Sequence, residues 1–301
     1  MRRNLVIVRA GDNSLHPEWL KGAPSRTWDL VVNYYGDKPD IYRVPGIERI
    51  DSKGPKWPAL HDLVSANPRF LEDYDYVWLP DDDLRTDAAQ INLLFKIMEQ
   101  QQLQVAQPAL TWNSYFGHLT TIANKKFFLR YTNYVEVMAP CLSAQLLCRA
   151  LPLFNFNLSG WGLDFVWTKF VAKPEIEIAI IDVVNVEHTR PVGGPNYKVL
   201  RERGISPWDE LRAFCKSNGI EEEPIIFTHR AIYRDGTVID ARAKPRRFIL
   251  SAIAGYLPAL RHSPEAKRMA RRMAGMIWKA LNNMPDRIAE ESLIQKQVLR
   301  R

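Results

Sequence analysis

Three consecutive carboxylates, Asp81, Asp82 and Asp83, follow an apolar run, Tyr76-Val77-Trp78-Leu79, that stops at Pro80. Adjacent acids repel one another and are costly to bury unpaired. A hard divalent cation removes that cost. In an extended segment Asp81 and Asp83 project to the same side, so the two can share one ion while Asp82 turns to a different partner. The plainer alternative is a solvated acidic loop in which Asp83 or Asp87 caps the helix that follows.

Four further residues have types and positions suited to chemistry. In Ser159-Gly160-Trp161-Gly162-Leu163-Asp164, two glycines let the backbone turn beneath a large ring and place Asp164 at the start of an apolar helical segment. There it serves as a helix N-terminal charge, or as a base that holds an acceptor hydroxyl. His188 follows the β-type run Ile176 to Val186; imidazole suits Mn²⁺ or Zn²⁺ beside carboxylates better than Ca²⁺, although a polar residue at a strand exit needs no such role. Lys56, in Lys53-Gly54-Pro55-Lys56-Trp57-Pro58, opens a helix whose unpaired N–H groups would suit phosphate, or it is an ordinary surface lysine before a proline-started helix. Asp12, in Ala10-Gly11-Asp12-Asn13-Ser14, lies on the loop after a first strand and alone reads as a turn-former.

The elements that must position these groups alternate. Residues 4 to 8, Trp28 to Tyr34, Tyr76 to Leu79, Gln104 to Leu110, Phe127 to Met138 and Ile176 to Val186 read as extended. Ala59 to Ser65, Ala88 to Gln102 and the stretch from Pro140 to Leu151 read as helical. Such alternation predicts an α/β sheet with parallel strands, whose ligands sit at the strand C-terminal ends. The loops Thr111 to His118 and Val192 to Tyr197 would then shape specificity.

At 301 residues with 46% hydrophobic content, the chain can bury a substantial core without staples. Its cysteines, Cys141, Cys148 and Cys215, have no metal-site spacing and form an odd set, so reduced thiols and a cytoplasmic setting are expected. The basic N-terminus precedes an apolar run too short for a signal peptide, and no segment reaches the roughly 18 to 20 apolar residues of a membrane span. The net charge of +7 resides in the tail, where residues 242–301 hold 14 Lys/Arg against 4 Asp/Glu. A near-neutral body argues against nucleic acid as a partner. The expected division is therefore a catalytic domain over 1–241 and a basic amphipathic helical extension over 242–301. In the latter, Phe248, Ile249, Ala252, Ile253, Tyr256, Leu257 and Leu260 share one face. That face suits an anionic bilayer, here the inner face of the membrane, or else packs on the domain or on a second copy in a homo-oligomer.

The order strand-Asp-x-Asp, Trp-Gly-x-Asp and strand-x-His resembles the GT-A class of nucleotide-sugar glycosyltransferases over residues 4 to 200. More closely, Trp-Leu-Pro-Asp-Asp-Asp, Ser-Gly-Trp-Gly-Leu-Asp and Val-Glu-His-Thr-Arg-Pro-Val-Gly are similar to an uncharacterised plant and bacterial family known only as a domain of unknown function. The GT-A resemblance implies a Rossmann-type mixed sheet flanked by helices and a metal-dependent enzyme. Such an enzyme moves a sugar from a nucleoside diphosphate sugar to a hydroxyl acceptor, a cell-surface or lipid-linked glycan fitting the basic tail. It implies Asp81, Asp83 and His188 as metal ligands, Asp81 and Asp82 as contacts to the nucleotide, and Asp164 as base or acceptor anchor. Asp12 and Lys56 join the nucleotide set by position. Mn²⁺ is the expected ion and Mg²⁺ the alternative. The rival readings are a sugar-nucleotide or glycan-binding module without turnover, and a metal-dependent phosphoryl-transfer or phosphodiester enzyme.

Overall fold

The first strand shows how the chain builds its layers. In β1 (Asn4–Ala10), Leu5 and Ile7 enter one core while Val6, Val8 and Ala10 enter another, so the apolar run of the strand is buried on both faces. The computed structural model describes residues 4–191, 200–220 and 226–281. Its strands are β1, β2 (Trp28–Tyr34), β3 (Glu48–Asp51), β4 (Tyr76–Trp78), β5 (Leu84–Arg85), β6 (Val105–Leu110), β7 (Phe127–Thr132), β8 (Cys141–Ser143), β9 (Ile178–His188), β10 (Thr228–Tyr233) and β11 (Val238–Asp240). They form one mixed sheet in the order β11-β10-β7-β9-β6-β8-β4-β1-β2-β3, with β5 paired to β9. Pairing is parallel for β1 with β2 and β4, for β2 with β3, and for β6 with β9. The short β8 runs antiparallel to both β4 and β6, so β1, β2, β3, β4, β6 and β9 all point the same way. Their C-terminal ends therefore share one edge.

Helices cover both faces. From α1 (Lys56–Ala66), Trp57, Leu60, Leu63 and Val64 pack on the Leu5/Ile7 side, where α2 (Arg69–Glu72) adds Phe70. From α3 (Ala88–Gln100), Ile91, Leu94, Phe95 and Met98 pack on the other. The cap of α3 is Asp87, whose Oδ1 accepts from the Gln90 amide at 2.9 Å. Three short helices follow: α4 (Ala144–Ala150), α5 (Leu163–Val166) and α6 (Pro174–Glu177). A mixed sheet flanked by helices is the expected architecture.

Three stretches differ from the sequence reading. The segment expected to be helical from Pro140 opens with β8, because Cys141 and Leu142 fill the gap between Trp78 and Val77 of β4 and the first residues of β6. The extended run to Met138 ends as a strand at Thr132, and residues 133 to 138 return as irregular backbone to the edge where the parallel strands end. Beyond α7 (Pro207–Ser217), β10 and β11 lengthen the sheet beside β7.

The tail packs on the sheet. In α8 (Pro245–Tyr256), the Phe248 ring stacks on Phe127 at 5.8 Å, and the Ala252 carbonyl accepts from Asn124 Nδ2 at 2.9 Å. In α9 (Ala266–Leu281), Met269 and Met273 are buried in the same core as β7 and β9. Much of the apolar face offered by residues 248–260 is thus covered by protein, with Leu257 left exposed. Residues 282–301 and the loop Val192 to Tyr197 lie outside the described residues. Among the described residues no helix is long and apolar enough to cross a membrane, and Cys141, Cys148 and Cys215 are free thiols.

Candidate functional site

The acidic triplet lies where β4 ends, on the edge shared by the parallel strands. It is not one extended segment, because Asp82 and Asp83 occupy a turn that leads into β5. The turn gives each carboxylate its own partner. Asp81 Oδ1 accepts from Lys56 Nζ at 2.6 Å. Asp82 Oδ2 accepts from the Gly11 amide at 2.8 Å, and its Oδ1 lies 3.5 Å from Arg190 Nη1. Asp83 Oδ2 lies 3.5 Å from His188 Nε2. Burial pushes the Asp82 carboxyl up to about 6 against the pull of the Gly11 hydrogen bond and Arg190.

Register brings His188 to the triplet. β5 pairs antiparallel with the end of β9, and this sets Leu84 opposite His188, one residue from Asp83. The imidazole Nδ1 is 2.9 Å from the Tyr115 carbonyl, to which it donates, so Nε2 faces Asp83. Burial opposes a charged imidazole here, but the contact with Asp83 outweighs it and holds the pKa up, at about 9. Asp83 Oδ1 is buried without a hydrogen-bond partner.

These residues fit a divalent cation. The orphaned Asp83 oxygen is a hard donor, and His188, fixed at Nδ1 by a backbone carbonyl, would be a borderline donor at Nε2 after a cation displaces its proton, a combination suited to Mn²⁺. Among the described residues, no group of three or more His, Cys, Asp and Glu side chains is arranged to hold an ion alone.

Asp164 is set by the two glycines. Gly160 and Gly162 have φ of 76° and 103°, and a Cβ on either would lie 2.1 Å from Trp57 or 2.4 Å from Phe214. The turn they allow starts α5, with Asp164 in its first turn and Asp164 Oδ1 accepting from the Val137 amide at 2.7 Å. Burial raises its carboxyl to about 7. Beside it stands Glu136, which burial and then the Asp164 charge push up to about 8, and whose Oε2 is buried without a partner. Glu136 was not singled out in the sequence; its one signal was a lone carboxylate in the apolar run Phe127 to Met138.

The structure brings Asp81, Asp82, Asp83, His188, Asp164 and Lys56 to one edge, and each of the four expected nucleotide contacts, Asp12, Lys56, Asp81 and Asp82, is engaged by protein. Lys56 Nζ is used by Asp81 and by the Val137 carbonyl at 2.9 Å, so it offsets the Asp81 charge. The Asp12 carboxylate accepts from Tyr34 OH and from the Asp37 amide at 3.1 Å, tying the loops after β1 and β2 together. Arg9 is buried at the ends of β1 to β3, donating to Asn33 Oδ1, Ser52 Oγ and the Gly54 carbonyl, with its pKa lowered to about 10 by burial.

No protein-family model matches the chain, and no curated protein matches it. Among solved structures, S. aureus TarS is similar at TM-score 0.47 and 9% identity, covering 74% of this chain and 41% of that one. A mycobacterial protein is similar at TM-score 0.44 and 14% identity, covering 75% of this chain and 83% of the other. This chain thus spans 41% of the TarS chain, and likenesses this loose bear on neither donor nor acceptor.

Proposed function

We propose that this chain is a metal-dependent glycosyltransferase that moves a sugar from a nucleoside diphosphate sugar to a hydroxyl group of a glycan or similar acceptor. The observation that carries the reading is the pairing, on one strand edge, of an incomplete cation site with a buried carboxyl whose pKa lies near 7. Asp83 and His188 would hold the cation. When bound, it supplies positive charge to the departing diphosphate.

The chain's own residues do the rest. Lys56 offsets the Asp81 charge, and Gly11 with Arg190 holds Asp82, so the turn stays in place before any ligand arrives. Burial raises both carboxyls of the pair, and the base is assigned to Asp164, the acid of the Trp-Gly-x-Asp turn, with Glu136 as the neighbouring acid. Asp164 thus takes the acceptor hydroxyl proton as the sugar bond forms, a contribution of about 10²- to 10⁴-fold. The phosphodiester alternative is less favoured, because a two-metal site needs more carboxylate ligands than are grouped among the described residues.

The test is release of nucleoside diphosphate from a panel of sugar nucleotides with Mn²⁺, with Mg²⁺ and with chelator. Metal-dependent release from one donor is expected. Release of phosphate from simple esters, with no response to any sugar nucleotide, would overturn the reading.

A further inference from the structure

Helix α9 carries a second charged feature. Lys267, Arg268, Arg271 and Arg272 line an open cleft of about 440 Å³. Their order follows from helical spacing: Met269 and Met273 are buried, which fixes α9 and turns the cations outward together. Arg268 is anchored. Its Nη1 lies 3.0 Å from Glu265 Oε2, its Nη2 donates to the Gly117 carbonyl at 3.0 Å, and its guanidinium sits 5.1 Å over the Phe116 ring. Among the described residues, Glu265 is the one carboxylate ion-paired with any of the four.

The anchor also ties the cleft to Glu136, the neighbour of the proposed base. Gly117 faces Glu136, since a Cβ on Gly117 would lie 2.8 Å from Glu136 Oε1. The next residue, His118, is close enough to Arg272 and Arg268 that they add to the burial that lowers its pKa to about 4. The His118 ring lies 4.9 Å from Tyr134, which lies 5.1 Å from Phe165, the neighbour of Asp164. Through Arg268, loop 116–118 therefore joins the cationic face of α9 to Glu136.

We infer that this cleft binds a phosphate group carried by the acceptor. The proposal rests on the glycosyltransferase reading for the word acceptor, and on the cleft alone for phosphate. Three guanidinium groups and an ammonium, offset by one carboxylate, leave more positive charge than a lone carboxylate ligand would balance, and guanidinium forks match phosphate oxygens in pairs. A bilayer is the weaker occupant. Between Ala266 and Gly275 the outward residues other than the cations are Ala270, Ala274 and Gly275, which offer no bulky apolar side chain for insertion.

The test is calorimetric titration of the full chain with glucose 6-phosphate, with glucose as control, on wild type and on an Arg271→Gln/Arg272→Gln variant. Both arginines are exposed, so the fold should persist. The expected result is binding of the phosphosugar and not of glucose, weakened by salt and about tenfold or more by the double substitution. Nucleoside diphosphate with Mn²⁺ should bind both proteins equally. Failure of the phosphosugar to bind wild type, or equal binding to the variant, overturns the cleft while leaving the transferase reading intact. Binding only to vesicles of phosphatidylcholine and phosphatidylglycerol in equal parts overturns it in favour of a membrane surface. Cleft-dependent phosphosugar binding without any nucleotide binding supports the cleft and counts against the transferase.

Discussion

Asp182 sits inside the sheet at the point where β9 changes register. Pro108 of β6 pairs with Ile181, but Ala109 pairs with Asn185, so residues 182 to 184 form a bulge. Asp182 turns from that bulge onto Arg130, whose Nε and Nη2 donate at 2.8 Å each, and its Oδ1 also accepts from the Asn124 amide at 2.7 Å. Arg130 reaches on to Tyr256 OH at 2.5 Å, which couples the bulge to α8. With side-chain exposure of 2% and 0%, neither group has water to replace a lost partner. Asp182→Asn keeps the shape and strands the guanidinium charge, a change that costs about 3–5 kcal/mol for a buried pair broken on one side. That is a large part of the roughly 5–15 kcal/mol by which a domain is stable. Replacing both groups, by Arg130→Met with Asp182→Leu, removes the stranded charge and should recover most of the loss. Urea unfolding of the three proteins reads this directly as shifted midpoints at constant slope. A cost below about 1 kcal/mol for Asp182→Asn would show that the pair does not pin the bulge, and with it the path that delivers His188.

Two further outcomes are expected. Asp164→Asn should lower kcat by about 10²- to 10⁴-fold with donor binding kept, whereas Glu136→Gln, which mimics the protonated acid, should retain most activity; the reverse ranking in donor turnover would exchange the two roles. His16, buried against Trp19 and Tyr42 with Nδ1 on Ser14 Oγ, has its pKa lowered to about 4 by burial. The unfolded chain binds a proton there below about 6.5 and the folded chain does not. Stability from this site is therefore complete above pH 6.5 and is lost as pH falls through 4. His16→Gln should flatten that acid limb in denaturant midpoints measured from pH 7 to 4, and an unchanged limb would contradict the assignment.

What the sequence disclosed was mainly what strand ends do. Asp81 to Asp83 and His188 stood out because each follows an apolar run, and both runs proved to be strands that point the same way. The partners were less visible. That Lys56 would neutralise Asp81 depends on how α1 docks beside β4, a tertiary contact with no local signature. Glu136 was hidden because its apolar neighbours read as a strand, while the backbone there is irregular and buried. Strand β8 was lost within a helix-like stretch because three residues carry too little periodicity to register. The amphipathic face of the tail promised a cover without naming one, and Arg130, Asn124 and Phe127 of the sheet region supply it.

The measurement closest to the central claim is thermal stability with and without Mn²⁺ across a panel of nucleoside diphosphates and their sugars, on wild type and Asp83→Ala. A ligand at 100 times its dissociation constant stabilises by about 2.7 kcal/mol, enough to move the midpoint visibly. The account predicts that one nucleotide stabilises wild type only with metal and that Asp83→Ala loses the shift. If no nucleotide stabilises wild type with metal present, or if Asp83→Ala keeps the full shift, the edge formed by Asp83 and His188 is not a nucleotide-metal site.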